Sequence, residues 1–236
     1  MLINTTYRST APEIMDNFSM QGSLLRKTLD KIAIINERLG GNKATFSGLQ
    51  TLLVNKSNAS PVTIIDLGCG NGNMLRAIAG YGRKKNMAFK LVGVDANEDT
   101  INYAKELSVA YPEISYVKMN VFDEAFSSMK ADIVIATLFL HHFTDEEIDT
   151  LLQSLLNQIS IGIVINDLHR SPLAYYLFRL ISIFITNPMV RNDGAVSVLR
   201  GFKKNELKKI NNKLHQSSGT ISWKWAFRFQ WIIKKK

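Results

Sequence analysis

The ten residues Ile64-Ile65-Asp66-Leu67-Gly68-Cys69-Gly70-Asn71-Gly72-Asn73 constrain this chain more than any other stretch. An apolar run enters a turn with glycine at every second position, and a helical pattern, Met74 to Ala79, leaves it. Glycine tolerates the backbone conformations of a sharp turn, and without a Cβ it lets a ligand approach the main chain closely. A strand that ends this way and feeds a helix points to an α/β sheet with a nucleoside cofactor over the turn.

The same rhythm continues downstream. Short apolar runs at Val62 to Leu67, Leu91 to Val94, Ile114 to Met119, Ile133 to Ala136 and Ile161 to Ile165 alternate with helical patterns, which implies a parallel sheet with helices on both faces. One helix start is explicit: Thr144 with Glu147 three residues on forms a capping box ahead of Ile148, Leu151, Leu152 and Leu155. Near the end, Trp223, Trp225, Phe227, Phe229 and Trp231 share one parity while Lys224, Arg228 and Gln230 share the other. Period two means strand, and the length predicts a hairpin turning near Ala226 with its aromatic face on the core. Before the sheet, helices are expected over Ala11 to Leu39 and Ala44 to Val54, separated by the stop signal Gly40-Gly41. The expected organisation is an N-terminal helical cap over 1–60, a seam at Asn55 to Pro61, and a catalytic domain over 61–236 with a helical insert at about 171–200.

Composition narrows the function classes. A chain of 236 residues with 46% hydrophobic content suits one core plus a small appended unit. The single cysteine, Cys69, leaves no internal disulfide and argues against a cysteine-based metal cluster, so no metal is expected. Met1 to Arg8 has neither a signal-peptide core nor a transit pattern, and Leu173 to Ile185 is too short for a membrane span and carries Arg179, so a cytoplasmic location is expected. The net charge of +9 sits at one end: ten Lys or Arg against one acidic residue over 202–236, and nineteen of each sign before that. A terminal lysine run of this kind reads as a solvated face, which leaves nucleic acid disfavoured and a peripheral membrane contact without support.

Two carboxylates refine the ligand. Asp66 precedes the first glycine, and the turn is G-x-G-x-G without the third glycine of the dinucleotide pattern. A carboxylate there would repel a pyrophosphate and favour a cationic sulfonium amino acid, so the charge logic selects S-adenosylmethionine over a nicotinamide. Twenty-nine residues on, Asp95 ends the second strand, where a carboxylate accepts both ribose hydroxyls; Asn97 is already a good helix cap, which frees Asp95 from that role.

The runs Asp66-Leu67-Gly68-Cys69-Gly70-Asn71-Gly72, Val94-Asp95 and Ile135-Ala136-Thr137-Leu138-Phe139-Leu140-His141-His142-Phe143 resemble the successive motifs of class I S-adenosylmethionine-dependent methyltransferases, near the quinone and small-molecule branch. The resemblance spans roughly 61–168. It implies a Rossmann-like seven-stranded sheet in the order 3-2-1-4-5-7-6 with the last strand antiparallel. It also implies that Asp66, Gly68, Gly70 and Gly72 surround the methionine portion and that Asp95 holds the ribose. Asn120 and Val121 would flank the adenine, and Cys69, Asn73, Ala96 and Thr137 complete the cofactor set. Family members often carry Asp at the place of Asn120, and Asn accepts the same hydrogen bond through its side-chain oxygen.

The fourth strand ends in Ala136-Thr137-Leu138 and not in an Asn-Pro-Pro-Tyr type of sequence, which argues against base methylation. His141, His142 and His169 follow strands at the edge where open α/β sheets bind ligands, and a histidine there can take a proton from a phenol or an activated carbon. His142 and His169 rank above His141; the alternative is that they only fix the loops. The insert from Pro172 to Ile185 is apolar nearly all round and must be covered, as a core helix or as a lid over a small, largely apolar acceptor. Arg191, Asn192 and Asp193 read first as a turn completed by Gly194, and second as polar contacts to the acceptor. An RNA or protein methyltransferase using the basic C-terminal region, and a non-catalytic S-adenosylmethionine-binding protein, are the competing classes.

Overall fold

The computed structural model describes residues 3–54, 56 and 60–236; of the expected seam, Asn55, Ser57, Asn58 and Ala59 lie outside the described residues. Helices α1 (Ser23–Arg38) and α2 (Gly41–Leu53) precede the sheet. Then follow β1 (Val62–Leu67), α3 (Asn73–Lys85), β2 (Phe89–Asp95), α4 (Glu98–Leu107), β3 (Ile114–Lys118), the single turn α5 (Glu124–Ser127) and β4 (Ala131–Thr137). After α6 (Asp145–Gln158) and β5 (Ile159–Leu168) come α7 (Pro172–Ser182), α8 (Pro188–Arg200), α9 (Lys204–Lys213), β6 (Ser217–Lys224) and β7 (Arg228–Lys235).

The strands form one sheet in the order β3-β2-β1-β4-β5-β7-β6, with β7 antiparallel to β5 and to β6 and the remaining pairs parallel. This is the Rossmann-like arrangement the resemblance implied. Strand alternation divides the core in two. Ile65, Leu67 and Val134 pack under Ile148, Leu151 and Leu155 of α6 and Leu207 and Ile210 of α9, while Ile64, Ile133 and Ile135 pack under Leu49 and Leu52 of α2 and Leu75 and Ile78 of α3. The Thr144 capping box is present at the start of α6, with both reciprocal bonds made. No helix among the described residues is long and apolar enough to cross a membrane.

Four expectations need correction. The first helix begins only at Ser23, after Gly22 at φ +89°; residues 3–22 form an extended strap with one 3-10 turn, Ile14–Asp16. Backbone N–H groups of Ile14 and Met15 donate to the Asp193 carboxylate, and that long-range anchor replaces the local helix. Arg191, Asn192 and Asp193 form no turn, since they lie inside α8, capped by Asn187. The hairpin does turn at Ala226, but its aromatic parity splits: Phe229 and Trp231 are buried whereas Trp223 and Trp225 are exposed. The cause is that β7 lies inside the sheet with α2 over one face, where Gln230 donates to Ala44 and Ser47, and α9 over the other, where Trp231 donates to Asn211, while β6 is the edge. Finally, α7 is not covered all round. It packs on α8, and Leu173, Leu180, Ile183 and Phe184 on this segment stand more than half exposed.

Candidate active site

The turn after β1 has its glycines in the left-handed region, at φ +62° for Gly68, +52° for Gly70 and +75° for Gly72. A Cβ on Gly68 would lie 2.4 Å from the Phe139 ring and one on Gly72 2.0 Å from the Tyr116 hydroxyl. Two of the three glycines therefore serve backbone conformation and internal packing more than ligand clearance. Gly72 shapes the turn without facing the cavity beside it, and Gly70, whose nearest neighbour for a Cβ is Leu29 at 3.6 Å, does face it.

That cavity, about 790 Å³, lies at the carboxyl edge of the sheet. Apart from Gly72, each cofactor residue expected from the sequence lines it: Asp66, Gly68, Cys69, Gly70, Asn73, Asp95, Ala96, Asn120, Val121 and Thr137. Asp66 is 2% exposed, and no hydrogen bond reaches its carboxylate among the described residues. Burial, and then the charge of Asp95, pushes its pKa up to about 8. Asp95 accepts from the backbone N–H of Gly70 at 3.2 Å and of Asn97 at 3.0 Å; burial raises its pKa against these bonds. Asn97 caps α4 through Thr100 N–H at 2.9 Å, as its sequence position indicated. Burial also raises the Cys69 thiol, which stays neutral. Asn73 is held by Asn42 and Asn71, and Thr137 by Thr45. The Asn120 side-chain oxygen already accepts from Phe122 N–H at 3.0 Å within its own turn.

The three histidines also line the cavity, in different states. His141 is buried, with Nδ1 2.7 Å from Asp167 and Nε2 3.5 Å from Glu13. Burial alone would lower its pKa, but the two carboxylates outweigh it and raise it to about 9, so the ring is cationic at neutral pH. His142 sets Nδ1 2.7 Å from Asp16, which is itself held by Arg200 at 2.6 Å; Nε2 has no partner among the described residues. The His142–Asp16 pair thus has the orientation of a base and its orienting carboxylate. His169 packs on Phe229 with its Nδ1 buried and unpartnered, and burial, then Arg170 and Lys203, lowers its pKa and keeps it neutral. Glu13, His141 and His142 bring potential ligand atoms within 4.8 Å of one another.

Sequence reasoning missed Glu13, Asp16, Asp167, Arg200 and Arg228. Asp167 had a visible signal, a carboxylate at the carboxyl end of a strand beside His169. The others are joined to the site only by the folded chain.

Residues 64–162 match a family described as a methyltransferase domain. That match covers less than half of the chain. Protein 235L of Invertebrate iridescent virus 6, which carries a methyltransferase name, is 33% identical over 78 residues, covering 33% of this chain and only 26% of that protein. Among solved structures, the plantazolicin methyltransferase BamL, in complex with a triazolic desmethylPZN analog and SAH, superposes with a TM-score of 0.67 at 17% identity, covering 89% of this chain and 91% of that one. The magnesium protoporphyrin IX methyltransferase ChlM of Synechocystis PCC 6803, with bound SAH, gives 0.58 at 15% identity, covering 92% and 90%. At these identities the likeness is one of fold, and it extends beyond residues 64–162 to most of the chain.

Proposed function

We propose that this chain methylates a small, largely apolar acceptor, at oxygen or activated carbon, with S-adenosylmethionine as donor. One observation carries this reading. Two carboxylates, the buried Asp66 and the half-buried Asp95, face a single cavity, neither forms an ion pair among the described residues, and the further wall is α7, with Ala174, Leu177 and Phe178. Like charges facing one cavity call for a cationic ligand, and a sulfonium amino acid joined to a ribose supplies both the charge and the hydroxyls. Asp66 and the turn would hold the amino-acid portion, Asp95 the ribose, and Val121 a face of the base. SAM-bound or SAH-bound relatives of this fold support the donor.

The donor supplies a methyl group already activated by its sulfonium. The protein's part is alignment, exclusion of water and removal of the acceptor's proton. His142 Nε2 takes that proton while Asp16 fixes the ring, and His169, neutral at physiological pH, is the second candidate base. In this reading 1–60 cap a catalytic unit, 61–236, whose insert at 171–200 walls the acceptor side. Calorimetry tests the donor: SAH binds and NADH does not. Single-turnover assays test the base: the His142→Ala, His169→Ala double variant slows methyl transfer by roughly 10²- to 10⁴-fold with SAH affinity within about twofold. Equal rates would remove histidine from the mechanism, and activity confined to hydrophilic acceptors would refute the apolar pocket.

A further inference from the structure

Arg228, the first residue of β7, is 2% exposed and lines the cavity, yet none of its guanidinium nitrogens donates a hydrogen bond among the described residues. Its Nε and Nη1 are buried without partners, and it forms no ion pair with a carboxylate among the described residues. Guanidinium has five donors and no acceptor, so leaving them unmade in a dry site is expensive unless a ligand completes them. The neighbourhood repeats the pattern. His169 Nδ1, next to Phe227 whose carbonyl accepts the His169 N–H, is buried and unpartnered, and so is Asn36 Oδ1, beside Gly41 near the same guanidinium. Two groups able to donate, the Arg228 guanidinium and His169 Nδ1, are thus unmet at the end of the cavity lined by Trp225, Phe227 and α7, whereas Asn36 Oδ1 is an acceptor and offers nothing to an anion.

We propose that Arg228, with His169 beside it, forms an anion subsite that receives a carboxylate on an otherwise apolar acceptor. The inference rests on the reading above that donor and acceptor share this cavity. Its place in the sheet assigns it to the acceptor. Strand β7 is separated from β1, which carries Asp66, by β4 and β5, a span of three strand spacings or about 14 Å. It adjoins the end of β5, where Leu168 pairs with Arg228 and from which α7 departs. Neither Asp167 nor Glu13 forms an ion pair with Arg228 among the described residues; Asp167 is held by His141 Nδ1 at 2.7 Å and favours the guanidinium only from beyond that range. A planar guanidinium takes a carboxylate through two parallel bonds, which selects an acid over an alcohol of the same shape.

The test compares carboxylates with their alcohols on SAH-saturated protein: laurate against 1-dodecanol, and 4-phenylbutyrate against 4-phenylbutanol, by calorimetry. At least one carboxylate is expected to bind roughly 10-fold or more tightly than its alcohol. Arg228→Met abolishes that preference and Arg228→Lys, which keeps the charge without the fork, retains part of it. Should Arg228→Met fail to fold, the Lys variant still reports the loss. SAH affinity changes by less than about twofold in either variant. No preference for either carboxylate in the wild-type protein overturns the proposal. So does an Arg228→Met that weakens SAH but leaves 5′-methylthioadenosine, which lacks the amino-acid carboxylate, unaffected; the guanidinium would then belong to the donor. Failure of SAH to bind at all would instead overturn the methyl-transfer reading.

Discussion

At the scale of single residues, Asp66 joins stability to ligand binding. Its carboxyl is raised from the ordinary 3.8 to about 8 by burial and by Asp95, so it is mostly protonated in the free protein at neutral pH. A folded-state pKa above the unfolded one contributes stability that is complete below about pH 4 and is lost as pH rises through 8. Asp66→Asn removes that dependence. Its Tm is expected to exceed the wild type's by about 2 to 5 °C at pH 8.5 and to match it near pH 4, while SAH affinity falls at least 10-fold. The sulfonium donor is net cationic and shifts the carboxyl toward its charged form, so S-adenosylmethionine binding to the wild type at pH 7 releases protons, seen as a dependence of calorimetric enthalpy on buffer ionisation; the Asn variant shows a smaller release. This carboxylate and Asp95 were legible in the sequence because each ends a strand whose pattern is local. The partners of the histidines were not: Asp16 lies 126 residues from His142 and 184 from Arg200, and no periodicity connects positions so far apart.

At the scale of elements, legibility followed the same division. Strand β1 and the capping box of α6 stand where the pattern put them, whereas β5 runs from Ile159 to Leu168, beyond its apolar centre, because its polar end pairs in the sheet too, Asn166 with Thr137 of β4 and Gln230 of β7. The burial of α7 was misjudged for a related reason: an apolar sequence shows what a helix would gain by being covered, and only the neighbouring elements decide whether it is. Helix α3 offers a controlled comparison of what its glycines do. Gly72, its cap at φ +75°, would place a Cβ 2.0 Å from the Tyr116 hydroxyl, while Gly80 lies exposed within the helix with nothing within 4 Å of a Cβ. Denaturant unfolding of Gly80→Ala should therefore show a gain of about 0.5 to 1 kcal/mol from helix propensity. Gly72→Ala should lose about 2 to 4 kcal/mol through strain and displacement of Tyr116. Equal effects from the two would mean that turn geometry does not set the start of α3.

At the scale of the molecule, the site is completed by a strap from the far end of the chain. Residues 3–22 are tied at one end by Arg170, which donates to the carbonyls of Thr5 and Thr6, and by Arg8, which donates to those of His141, Phe143 and Arg200. At the other end, Asn97 donates to the carbonyls of Phe18 and Met20, and Asp99 accepts the Gly22 N–H. Between these anchors Asp193 accepts two backbone N–H groups, at 2.8 and 3.0 Å, and so sets the turn that presents Glu13 and Asp16 to the histidines. Each bond to a buried charge contributes about 1.5 to 3 kcal/mol, so Asp193→Ala should open the middle of the strap far more often while leaving the sheet intact. Limited chymotrypsin cleavage after Phe18, exposed in the strap, is expected to accelerate at least ~10-fold. Turnover should fall roughly 10-fold because His142 loses its orienting carboxylate, with donor affinity little changed because Asp66 and Asp95 sit on β1 and β2. A variant that cleaves faster but turns over normally would show that Asp16 only anchors the strap. One that loses donor binding as well would show that the strap shapes the whole cavity and not the acceptor side alone.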